Sequence, residues 1–67
     1  GPLDDGFQRL LAEAALAAVD GRPEEALEKA GRAETALERA MDQAAAGPAR
    51  ERMEEVRAIV AATAARR

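Results

Sequence analysis

The chain has 67 residues and a formal charge of −3, made up of nine Arg, one Lys and thirteen acids spread along its length. That leaves room for a single domain and no concentrated basic face of the kind that holds nucleic acid. It contains no Cys, His, Ser, Asn, Trp or Tyr, which removes the usual nucleophiles, the usual base near neutral pH and the soft or borderline ligands of a zinc site.

Thr35, Thr63, Lys29 and solvated carboxylates are what remains for chemistry, so no enzyme, cofactor or metal is expected. No apolar run approaches the ~20 residues that span a bilayer, and no basic start with an apolar centre marks a signal peptide, so no membrane partner and a cytoplasmic location are expected. The preference for Arg over Lys together with nineteen Ala reads as the product of a GC-rich bacterial genome.

Gly1-Pro2 matches the pair left by a picornaviral 3C-type protease and is set apart as a tag scar. The natural chain is then expected to begin near Leu3 or Asp4, with residues 3–67 forming one domain of a larger protein. The first helix is expected over about 5–20, opened by Asp5 as N-cap with Gln8 completing a capping box. Phe7, Leu10, Leu11, Ala14 and Ala18 follow the i, i+3, i+4, i+7 spacing of a single buried stripe. Gly21 suits the left-handed position after a helix end.

A second helix is expected over about 23–46, with Pro23 in its first turn and Glu24 and Glu25 complementing the helix dipole. Its stripe is Ala26, Ala30, Ala33, Leu37, Ala40, Met41 and Ala44, while Glu25 to Lys29 and Glu28 to Arg32 form i, i+4 pairs on the opposite face. Glu34, Glu38 and Asp42 make an acidic row read as a solvated face. Gly31, inside the helix, either permits a close crossing or is simply tolerated.

Gly47-Pro48 repeats the punctuation of the first junction, with Gly47 as a C-cap and a third helix over about 48–65. Its stripe is Ala49, Met53, Val56, Val60 and Thr63, flanked by Ile59 and Arg52, with Arg66 and Arg67 at the end where cations are favoured. Two short connections make sequential helices antiparallel, so the expected fold is an all-α, up-down-up three-helix bundle. Only thirteen side chains are large and apolar, and in a chain this short a modest stability margin follows.

Helix 1 carries a second apolar feature. At about 100° per residue, Leu16 falls opposite Phe7, among Arg9, Glu13 and Asp20, and Ala12 and Val19 widen the apolar arc toward it. A helix apolar over most of its circumference needs a second packing surface. The acceptable occupants are a second copy or a partner helix or short peptide.

The segment Asp20-Gly21-Arg22-Pro23-Glu24-Glu25-Ala26-Leu27 resembles the inter-helix turn of tetratricopeptide-type hairpins, with the small residues Ala14, Ala17, Ala26 and Ala33 at the crossing; the resemblance spans roughly residues 10–37. With the third helix added, the layout looks like microtubule-interacting-and-trafficking (MIT) domains, three-helix bundles that bind helical peptides in grooves beside helix 3. That resemblance implies a groove at Met53, Val56, Ile59 and Val60. The function expected is therefore a protein-docking or tethering module, akin to the docking segments that join successive chains of bacterial multienzyme assemblies, with structural homodimerisation as the alternative. The residues expected to meet a partner are Ala12, Leu16, Val19, Met53, Val56, Ile59 and Val60.

Overall fold

The computed structural model describes residues 3–40 and 46–66. Three helices account for nearly all of them: α1 (Asp5–Val19), α2 (Pro23–Arg39) and α3 (Ala46–Ala65). Each packs against the other two, with the most extensive contact between α1 and α2, giving an all-α three-helix bundle measuring 37 × 17 × 13 Å.

Asp4, not Asp5, caps α1: its carboxylate accepts the Gly6 N–H at 2.9 Å. The same residue's carbonyl accepts from the Gln8 N–H at 3.2 Å, so the helix starts one residue earlier than the Asp5 to Gln8 pattern implies. At the other end Gly21 has φ +78°, and two bonds close the turn, from Arg22 N–H to the Ala17 carbonyl (2.8 Å) and from Gly21 N–H to the Ala18 carbonyl (3.2 Å). This pair is the Schellman arrangement, which satisfies carbonyls that a helix end leaves without partners.

Pro23 then opens α2 in the first turn, where its missing N–H costs nothing. A three-residue connection forces α2 back along α1. The second junction departs from expectation. The α2 helix ends at Arg39, with the N–H of Ala40 turned back onto the Leu37 carbonyl at 3.0 Å. Residues 41–45, which carry Met41, Ala44 and Asp42 of the expected pattern, lie outside those described, as do Gly1-Pro2 and Arg67.

Gly47 is not the C-cap of α2. Gly47 and Pro48 belong to the first turn of α3, which starts at Ala46; Pro48 fits there because the first N–H groups of a helix have no intrahelical acceptor.

The core follows the three stripes. Phe7, Leu11, Ala14, Ala17 and Ala18 of α1 meet Ala26, Ala30, Ala33 and Leu37 of α2 and Ala49, Met53, Val56 and Val60 of α3. Three of the four buried α2 residues in this cluster are Ala, and small side chains let helix axes approach closely. Two details of the α1 stripe differ from its periodicity: Leu10 is only partly buried, and Ala17, outside the expected stripe, is fully buried on the side of α2. Among the described residues no polar or charged side chain is buried.

Candidate functional site

The residues expected to meet a partner divide into two sets. Met53, Val56 and Val60 are 2%, 3% and 4% exposed and sit in the core cluster with Phe7, Leu11 and Leu37. They are the stripe that α3 needs to join the bundle, and of the three only Val60 also borders a concave surface feature. Leu16 and Val19, by contrast, are 61% and 72% exposed, and Ile59 is 38% exposed. Ala12 is exposed with them.

Helical geometry explains the separation on α1. At about 100° per residue, Phe7, Leu11, Ala14 and Ala18 cluster on one side, and Ala17 extends the covered arc toward α2. Ala12, Leu16 and Val19 lie on the far arc and are exposed. Arg9, Glu13 and Asp20 border them.

On the α2 side of that border, Lys29 reaches Glu13, with Nζ 3.3 Å from Oε1. This pairing replaces the expected Glu25 to Lys29 contact, because Lys29 lies at the α1–α2 seam while Glu25 accepts instead from Arg22 at 2.8 Å.

Ile59 occupies the opposite border. A shallow depression of ≈ 230 Å³ at one end of the bundle is lined by Leu3, Gln8, Pro48, Ala49 and Arg52, so the beginnings of α1 and α3 are adjacent and the two helices run in the same direction. Along α1 the row through Gln8 continues to Ala12, Ala15 and Val19; along α3 the row through Arg52 continues to Ile59 and Thr63. Val19 and Ile59 thus border the same seam, and the apolar surface of α1 continues toward α3.

A second concave feature lies between α2 and α3. It has a volume of ≈ 270 Å³ and is lined by Leu27, Ala30, Gly31, Glu34, Arg57, Val60 and Ala61. Arg57 spans it to Glu34 at 3.4 Å, so Glu34 of the expected solvated acidic row has a cross-helix partner. A groove beside α3 therefore exists, with Arg57 and Ala61 in place of the expected Met53, Val56 and Ile59. Leu27, 59% exposed at its edge, had no place in the α2 stripe. The signal was present in its position beside Glu28, about 100° from the buried Ala26.

Gly31 faces open space: a Cβ built there meets nothing within 4 Å. Among the described residues nothing would meet that methyl, so this glycine is tolerated rather than required.

Thr35 and Thr63, the only hydroxyl side chains, are occupied locally. Thr35 Oγ1 donates to the Gly31 carbonyl at 3.1 Å, and Thr63 Oγ1 lies 3.0 Å from the Ile59 and Val60 carbonyls. Among the described residues no three carboxylates converge in a way that could hold a metal ion, and no helix is long and apolar enough to cross a membrane. No family model, curated protein or solved structure matches the chain.

Proposed function

We propose that this bundle is a non-catalytic helical module that docks one protein onto another, with the outer face of α1 as its docking surface. The observation that carries the reading is the pair Leu16 and Val19, both more than half exposed on one face of a helix whose other face is already buried. A charged or polar residue at either position would leave the core untouched, so the fold does not require them to be apolar. Large apolar side chains grouped on one exposed arc mark an interaction surface more often than scattered ones do.

The side-chain inventory supports the non-catalytic part of the proposal, since the two hydroxyls are bonded to nearby carbonyls and no His, Cys or Ser is present. The likeness of the Asp20–Leu27 turn to tetratricopeptide hairpins, and of the layout to MIT bundles, points the same way. A bacterial setting belongs to the proposal and rests on the Arg- and Ala-rich composition; a cytoplasmic one belongs to it as well and rests on the lack, among the described residues, of a helix long and apolar enough to cross a membrane.

The test compares the domain with Leu16→Glu as bait in its parent cell extract, followed by titration of each captured protein in purified form. A carboxylate at an apolar contact must be desolvated without compensation, so the variant is expected to keep its helicity and lose a protein that the parent domain binds. Identical binding by both forms would remove α1 from the docking surface.

A further inference from the structure

The outer face of α1 is patterned for its own kind. Arg9, Ala12, Leu16 and Val19 follow a 3-4-3 spacing, the a/d seam of a pair of packed helices. At the middle of that seam a large residue, Leu16, is preceded by a small one, Ala12. The charges are also divided along the axis: Arg9 stands at the start of the face, and Glu13 and Asp20 lie beside and beyond its middle.

Arg9 makes no ion pair with any described residue. Among the described residues Asp20 pairs with Arg22 alone, at 3.3 Å, with both side chains about half exposed, and so remains open to another cation.

We propose, resting on the docking reading above, that the occupant of this face is a second copy of the same chain, packed with its α1 antiparallel to the first. A two-fold axis at the level of residue 14 sets Leu16 of each copy over Ala12 of the other, since 16 and 12 are equidistant from it. The same axis sets Arg9 opposite Val19, with Asp20 of the second copy one residue further on, within reach of the long guanidinium side chain.

Size and charge are both self-complementary under this one operation, which is what an isologous interface demands. A parallel pair would instead bring Arg9 against Arg9 and Asp20 against Asp20. The α1 helix is about 22 Å long at 1.5 Å per residue, a short seam beside the ~800 Å² per partner of a standard interface. The dimer is therefore expected to dissociate on dilution and to weaken with salt.

Sedimentation equilibrium over a concentration series up to about 1 mM reads the mass directly, with circular dichroism as the check on folding. The unmodified domain is expected to pass from 7.1 kDa to twice that mass. Leu16→Glu is expected to stay monomeric and helical.

Arg9→Glu and Asp20→Arg alone should each weaken association by about tenfold or more, and the double variant, which exchanges the two charges, should restore it. Arg9→Glu alone leaving the association unchanged, or the exchange failing to restore it, would overturn the antiparallel arrangement. A domain that stays monomeric throughout would overturn the second copy as occupant. In that event, loss of a different captured protein by Leu16→Glu would leave the docking reading standing, and no such loss would remove both.

Discussion

Lys29 of α2 places its ammonium 3.3 Å from the Glu13 carboxylate of α1, across the seam where the two helices pack. The lysine is the more covered partner, at 22% of its side chain against 43% for Glu13, as suits a side chain whose long methylene stem can pack against apolar surface. An ion pair this exposed contributes only about 0 to 1 kcal/mol. Its main consequence is positional, holding Glu13 at the α2 edge of the outer face and leaving Leu16 and Ala12 open.

The stripe of α2 rests on one large residue. Leu37 is buried in the core cluster, so Leu37→Ala is expected to cost about 2–5 kcal/mol, enough to unfold a domain of this size. Leu27→Ala removes a side chain that is mostly in solvent and should fall within about 0.5 kcal/mol of the parent. Thermal melts of the two variants by circular dichroism check both at once, and similar losses would mean that α2 presents a different face to the core.

Gly31→Ala should stabilise the bundle. The added methyl meets nothing within 4 Å, and an interior helical Gly is about 1 kcal/mol less favourable than Ala. In a domain this small that corresponds to a rise in melting temperature of roughly 4–8 °C. A fall in the midpoint would show that something packs over Gly31.

The opposite result is expected at the first turn. Gly21 has open space around it as well, but its φ is +78°, where a Cβ approaches the backbone carbonyl and costs about 1–2 kcal/mol. Gly21→Ala should lower the melting temperature, while leaving the helical signal of the folded state unchanged. The contrast between two equally uncrowded glycines isolates backbone conformation as the cause.

Removing the α1 cap separates two adjacent carboxylates. Asp4→Ala takes away the acceptor of the Gly6 N–H and should cost about 0.5–2 kcal/mol, whereas Asp5→Ala loses only a favourable charge near the helix start, about 0.3–1 kcal/mol. Chemical denaturation of both variants provides the comparison, and a greater loss at Asp5 would move the cap back to that residue.

Much of this architecture can be read from local chemistry alone. Gly21 followed by Pro23, the Ala and Leu stripes and the lack of alternating patterns specify two helices joined by a tight turn and a third behind them, because capping and periodicity act over a few residues. The same wheel places Leu16 opposite Phe7.

Other features depend on where the neighbouring helices sit. A wheel assigns each residue an angle, but the width of the covered arc is set by two packed neighbours. Ala17 therefore enters the core, Leu10 stays at its edge, and Met53, Val56 and Val60 turn inward while Ile59 is left at the seam. Lys29 likewise chooses Glu13 over Glu25 because packing brings α1 nearer to its ammonium than its own helix does. Burial thus leaves Ala12, Leu16 and Val19 as the apolar surface of α1 that the bundle itself does not use.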